Sequence, residues 1–194
     1  MDQVSLHLPT LQTKRIKLRP IIEDKDMPLL FQWRNDARTM HLWIGRNFPV
    51  SWEQFKDELF ADFNRDRHIQ LMIEKGKQTI GTIYSYSPNF SDGTVFVTTY
   101  LSADYTKRGY GVEALLLFAD YLMTYYPFRK IYLESYEYNR LSKQTLEKGH
   151  MEEEGCFKAH RYFDGRYWNL YRFALYQERL DEVRAYLAKL DERR

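Results

Sequence analysis

The sequence has a single cysteine, Cys156, among 194 residues. An intrachain disulfide is excluded, and the composition fits a reducing compartment, so the protein is expected to be cytoplasmic. With no His or Asn pattern beside it, Cys156 reads as a small buried residue rather than a nucleophile. Long apolar runs are missing too. No stretch approaches the roughly 20 residues that a membrane-spanning helix needs. Met1 to Thr10 carries no basic segment followed by an apolar one, so no signal peptide is expected. Charge of one sign is scarce: 29 Lys plus Arg against 27 acidic residues leave a net +2, which gives no concentrated basic face for nucleic acid. The five histidines (His7, His41, His68, His150, His160) never fall at ligand spacing, so no metal site is expected. Internal repeats and low-complexity segments are absent.

What is present describes a folded domain. Hydrophobic residues at 44% and charged residues at 29% are an ordinary globular balance. The length suits one domain, 1–194, with a core over about 13–176 and a helix over 177–194. The high aromatic content, 16%, predicts ring-rich packing.

Thr13 to Arg19 alternates around Ile16 and Leu18 and reads as a strand stopped by Pro20. Asp24 or Asp26 can cap a helix carrying Leu29, Leu30 and Trp33. Ser51 with Gln54 forms a capping box for a helix through Phe63. His68 to Glu74 and Thr79 to Ser85 flank a turn at Gly76, a hairpin, and Thr94 to Leu101 follows the Ser91-Asp92-Gly93 turn as a third strand. Val112, Leu115, Leu116, Ala119, Leu122, Met123 and Tyr126 then recur at helical spacing up to Pro127. Lys130 to Tyr136 is a strand, with Ile131, Leu133 and Ser135 on one face and Tyr132, Glu134 and Tyr136 on the other. A strand, helix and strand of this length predict a parallel crossover. Asn139 to Lys148 reads as a short helix broken at Gly149. Gly155 to Tyr162 and Tyr167 to Tyr176 read as two strands joined at Asp164-Gly165. The tail carries Leu180, Val183 and Leu187 on one helical stripe.

The segment Thr106-Lys-Arg-Gly-Tyr-Gly-Val112 is the most informative. Gly109 and Gly111 allow a tight turn and close backbone approach to a ligand. The first-turn amides of the helix that follows have no helical partners, and the helix dipole adds positive potential, which suits a diphosphate. Lys107 and Arg108 can add charge-assisted contacts. The dinucleotide fingerprint is excluded because its third Gly and later acidic residue are missing, and a Walker loop because no Gly-Lys-Ser/Thr occurs.

The order of elements, together with Tyr100-Leu-Ser-Ala-Asp-Tyr-Thr-Lys-Arg-Gly-Tyr-Gly-Val-Glu-Ala-Leu115, resembles the GNAT acetyltransferases. Their signature is Gln or Arg, two residues, Gly, one residue, then Gly or Ala. Gly109 and Gly111 match it, while Thr106 stands in place of Gln or Arg. Asn139-Arg-Leu-Ser142, Leu146-Glu-Lys148 and Glu154-Gly155 are similar to the branch of ribosomal-protein N-terminal and spermidine-type acetyltransferases. Asp164-Gly-Arg-Tyr167 and Trp33-Arg-Asn-Asp36 fit as well. The resemblance implies an α+β fold: a mixed, mostly antiparallel sheet of about seven strands flanked by helices, with an extra C-terminal helix.

It also implies an N-acetyltransferase that moves acetyl from acetyl-CoA to a primary amine by direct attack in a ternary complex. The acceptor would be a protein or peptide N-terminus, a polyamine or an amino sugar. An acyl-CoA-binding module without turnover is the alternative. Tyr100, Leu101, Ser102, Thr106, Lys107, Arg108, Gly109, Tyr110, Gly111, Val112 and Asn139 would meet the cofactor. Trp33, Asp36 and Tyr84 would meet the acceptor. A Tyr that serves as acid in much of the family is Leu146 here, and Ser142 matches the acid proposed for the ribosomal-protein branch. That branch's carboxylate is Arg161 here, so the base is sought among Glu134, Asp36, Glu23 or a relayed water, Glu134 first. Asp57, Glu58 and Asp62 are the carboxylates a polyamine could use, and Met151 fills the space of a family Phe. The closing strands and last helix offer a surface for a homodimer.

Overall fold

A computed structural model describes residues 7–42, 48–65, 67–140, 142–143, 146 and 150–192, with the side chains of 61–68 left aside. Lys148 and Gly149, named above as a helix end and its breaker, lie outside the described residues, as does the side chain of Asp62.

Seven strands form one sheet in the order β1-β2-β3-β4-β5-β7-β6. They are β1 (Lys17–Arg19), β2 (Arg67–Lys75), β3 (Gln78–Asn89), β4 (Thr94–Leu101), β5 (Lys130–Tyr136), β6 (Glu152–Phe163) and β7 (Arg166–Tyr176). Only β4 and β5 run parallel; every other neighbouring pair is antiparallel. The helices are α1 (Glu23–Arg34), α2 (Trp52–Arg65), α3 (Tyr110–Tyr125) and α4 (Leu180–Glu192). Among the described residues no helix is long and apolar enough to cross a membrane.

Strand alternation divides the core. Leu71, Ile73, Ile83, Val95, Val97, Ile131 and Leu133 pack with α3 and α4 on one face, which the period of two dictates. Met72 and Tyr100 turn to the other face, where Met27, Leu30 and Trp33 of α1 and Phe55 and Leu59 of α2 meet them. The sheet is thus covered on both sides, and whatever opens between its strands connects the two layers.

Local chemistry explains the element ends. The capping box of α2 forms as expected: the Gln54 amide donates to Ser51 Oγ at 3.2 Å and the Ser51 amide to Gln54 Oε1 at 2.9 Å. At α1 neither Asp24 nor Asp26 is the N-cap. Ile22 holds that position without a side-chain cap, and the buried Asp26 reaches back to accept the Ile22 amide at 2.7 Å. The first strand is also shorter than the alternation suggests. The Thr13 hydroxyl accepts the amides of Arg15 and Ile16, which turns the chain and delays the strand to Lys17. Met151 is buried in the core. Cys156, expected to be buried, is exposed, because β6 is an edge strand with most of its residues open to solvent.

Candidate active site

The parallel pair that a crossover requires is brief. Thr94, Val95 and Phe96 pair with Lys130, Ile131 and Tyr132, and there the register ends. β4 continues to Leu101 and β5 to Tyr136 without another pair, while β3 stays beside β4 as far as Leu101. The sheet therefore forks. From Val97 onward the edge of β4 that would face β5 has no strand partner among the described residues, so its backbone groups need another one.

Gly81 shapes the fork. A Cβ added there would lie 2.2 Å from Tyr100 O and 3.2 Å from Leu101 Cα, so the β4 backbone leans onto β3 at the one position with no side chain. A lone Gly inside a strand is the signal that could have flagged this approach. One residue before Tyr100, the buried Thr99 Oγ1 has no hydrogen-bond partner among the described residues.

A cavity of about 650 Å³ fills the fork and reaches both faces of the sheet. On the α3 side its walls are Val97, Thr99, Leu101, Gly111, Val112, Leu115, Leu133 and Leu146. On the α1–α2 side they are Arg34, Phe55, Glu58, Gln70, Tyr84, Tyr86, Thr98, Tyr100, Glu134 and Tyr136. The cavity thus runs through the plane of the sheet, with walls from both layers.

The loop that closes the α3 side is built from local bonds. The Ser102 amide donates to Ile80 O at 2.9 Å, and the Thr106 hydroxyl to Ala103 O at 2.9 Å. Lys107 and Gly109 have φ of 61° and 83°, and only glycine adopts the second without strain. Gly109 is the N-cap of α3 and supplies no side-chain cap. The Glu113 amide is the first to be satisfied, donating to Gly109 O at 3.1 Å. The amides of Tyr110, Gly111 and Val112 are left without helical partners.

Of the expected cofactor residues, Tyr100, Leu101, Thr106, Lys107, Gly109, Gly111, Val112 and Asn139 line the cavity. Ser102, Arg108 and Tyr110 do not. The Ser102 amide is bound to Ile80, the Arg108 carbonyl accepts Arg15, and the Tyr110 ring is buried beneath the Arg15 guanidinium. Asn139 Oδ1 accepts the Ser142 amide at 3.1 Å, so Asn139 begins the helical stretch and sets Ser142 at the wall. On the acceptor side Tyr84 lines the cavity, but Trp33 and Asp36 do not. Trp33 is buried against the Tyr100 ring, centroids 5.1 Å apart, and both Asp36 oxygens are held by Arg38. Glu23 is exposed at the first position of α1 and lies away from the cavity.

Both lining carboxylates have an arginine. Glu58 pairs with the buried Arg34 at 3.2 Å. Glu134, one pleat beyond the last β4–β5 pair, accepts two bonds from Arg172, at 2.7 and 3.0 Å, both on Oε1. The tyrosines remain protonated at neutral pH. Burial pushes Tyr86 well above the ordinary phenol range, and Glu134 and Tyr84 add to it. Burial and Glu134 raise Tyr136 against the pull of Arg161, and burial with Tyr136 takes Tyr138 up to about 12. The Tyr86 and Tyr136 hydroxyls can donate hydrogen bonds into the cavity but are poor bases, which leaves the carboxylates of Glu58 and Glu134 as the proton acceptors among the described side chains of this wall. Among the described residues no cluster of three or more His, Cys, Asp or Glu could hold a metal ion.

Sheet and cavity together define an α+β protein with a passage through a split sheet. The acetyltransferase (GNAT) domain profile matches residues 15–152. Of solved structures, a spermidine N-acetyltransferase from Vibrio cholerae, in complex with CoA and spermine, has a TM-score of 0.76 at 20% identity, over 87% of this chain and 99% of that one. A ribosomal L7/L12 α-N-protein acetyltransferase in complex with coenzyme A gives 0.74 at 16%, over 88% and 98%. A GNAT-family acetyltransferase from Bacillus anthracis gives 0.72 at 18%, over 87% and 98%. A comparison with curated protein sequences found no match. The chain belongs to the GNAT acetyltransferase family, whose members are acyl-CoA-dependent N-acetyltransferases with acetyl-CoA as co-substrate.

Proposed function

We propose that the protein transfers acetyl from acetyl-CoA to the primary amine of a protein or peptide N-terminus, by direct attack inside the forked cavity. The observation that carries this reading is the fork itself: one passage, walled by the cofactor loop on the α3 side and by tyrosines on the other. Two ligands entering from opposite faces meet without a covalent enzyme intermediate, so proximity supplies much of the rate.

The thioester supplies an activated acetyl carbonyl. The uncapped amides at 110–112 and the Lys107 side chain take the diphosphate. The unpartnered β4 edge from Val97 to Leu101 holds the pantetheine arm as a strand would, and one of its amides polarises the carbonyl. The orphaned Thr99 hydroxyl fits an amide of that arm. Glu134, whose Oε2 takes no bond from Arg172, accepts the proton of the incoming ammonium directly or through a water. The amine nitrogen then attacks the carbonyl carbon, the carbon–sulfur bond breaks, Ser142, set by Asn139, protonates the departing thiolate, and the excess proton of the acylated nitrogen passes back to the Ser142 oxygen through water.

The charges favour a single amine over a polyamine. A polycation needs uncompensated carboxylates, whereas Glu58 and Glu134 are matched by Arg34 and Arg172. Asp57 lies on an exposed stretch of α2 outside the cavity.

Release of the CoA thiol tests the proposal, with short peptides, spermidine and glucosamine as acceptors. Peptides are expected to turn over best, and saturable turnover of spermidine with no turnover of peptides would reverse the acceptor assignment. Glu134→Gln is expected to lower kcat by about a hundredfold with coenzyme A affinity unchanged. Turnover equal to wild type would remove Glu134 from the mechanism.

A further inference from the structure

Arg15 stands in the stretch before β1, far in sequence from the cofactor loop, yet it meets that loop in three ways. Its Nη2 donates to Arg108 O at 2.7 Å. Its guanidinium carbon lies 4.6 Å from the centre of the Tyr110 ring. Its Nη1 is 3.4 Å from Glu113 Oε2. Glu113 is fully buried on the first turn of α3. The Thr13 hydroxyl donates to its Oε1, and its Oε2 has no hydrogen bond, so the contact with Arg15 there is one of charge.

A carboxylate at this point is well placed against the positive end of the helix dipole. For an incoming diphosphate it is the wrong sign, in surroundings that screen charge poorly. Burial raises the Glu113 pKa, the Thr13 bond and the Arg15 charge oppose that rise, and Asp191 contributes a second negative charge nearby. Arg15 does not line the cavity, so it acts on the loop and on Glu113 rather than on the ligand. Thr106, standing where the family signature has Gln or Arg, adds no cation to those of Lys107 and Arg108, and Arg15 adds one from another part of the chain.

We propose that Arg15 is a positioning residue for acetyl-CoA. It ties down the loop at the Arg108 carbonyl and cancels the charge of Glu113 beneath the first turn of α3, so that the free amides at 110–112 present a positive field to the diphosphate. The proposal rests on the reading that this loop takes the diphosphate.

Isothermal titration of coenzyme A into the full chain tests it with four proteins: wild type, Arg15→Gln, Glu113→Gln and the double variant. Arg15→Gln is expected to weaken binding about tenfold through the unopposed charge. Glu113→Gln should bind as tightly as wild type or better, and the double variant should return to within about threefold of wild type. A double variant as weak as Arg15→Gln would overturn the proposal, as would an unchanged affinity in Arg15→Gln. A purely structural role would not be rescued by removing a second charge. Thermal melting of each variant checks that it is folded. If Arg15→Gln does not fold, Arg15→Lys decides: it keeps the charge but not the guanidinium seat over Tyr110, so any loss of affinity should be relieved by adding Glu113→Gln, and a tenfold loss that Glu113→Gln does not relieve would overturn charge cancellation. A wild-type protein that takes no coenzyme A overturns the loop reading itself, which the variants alone would not.

Discussion

Gly81 and Tyr100 touch at the far end of β4, beyond the point where the sheet opens, so a single added methyl group should have a large effect. An alanine methyl at 81 would meet the Tyr100 carbonyl at 2.2 Å, and the strand would have to move. Gly81→Ala is expected to destabilise the fold by about 1–3 kcal/mol and to weaken coenzyme A binding, read by thermal melting and titration. Gly155→Ala is the control, because a methyl there meets nothing within 4 Å, and stability should change little. Asp26 gives a second prediction at this scale. It is fully buried and accepts Arg19 at 2.6 and 3.0 Å and the Ile22 amide. Burial pushes its pKa up, but these bonds outweigh burial and hold it below the ordinary carboxylate range. A depressed pKa adds stability above the unfolded value, and that stability is lost as pH falls through the folded one. Asp26→Asn should therefore cost about 3 kcal/mol at pH 7. Urea unfolding should find the gap to wild type narrowing below about pH 4.

At the scale of elements, each side of the cavity depends on how a helix begins. α2 starts on a completed capping box and carries Phe55, Glu58 and Leu59 to the acceptor wall. Ser51→Ala should lower stability by about 1 kcal/mol and raise KM for the acceptor more than KM for acetyl-CoA. α3 starts on Gly109 with no side-chain cap at all. An uncapped helix end is unfavourable in isolation, and in the function proposed above it is the feature that recognises an anion. Gly109→Glu places a β-carbon at a left-handed φ and a negative charge before the same amides. Coenzyme A binding should fall below detection by titration while the far-UV spectrum stays close to wild type. Retained affinity would detach the loop from the cofactor.

On the scale of the whole molecule, the fork is a cost in the free protein, since β4 and β5 give up ladder bonds beyond Phe96 and Tyr132. A ligand that completes the strand edge binds only the folded chain, so coenzyme A at a hundred times its Kd should stabilise the protein by about 2.7 kcal/mol. Differential scanning should then find the melting temperature rising with coenzyme A concentration, and a flat response would contradict a site inside the fork. Much of this molecule could be read from local pattern. The alternation at Lys130 to Tyr136, the helical stripe from Val112 to Tyr126, the Ser51–Gln54 box and the Gly109–Gly111 pair depend on neighbours within a turn or a pleat, so residue order alone determined them, and with them the strands and the tight loop before α3. The contacts between distant segments could not be read that way. Which of two parallel strands parts, that Glu134 is held by Arg172 while Glu58 is held by Arg34, that Trp33 is packed behind Tyr100, and that Arg15 lies against a loop some ninety residues away were decided only when the sheet closed. The physical reason is range: periodicity and capping are set by backbone geometry over a few residues, whereas burial and ion pairing depend on which surfaces the completed fold brings together.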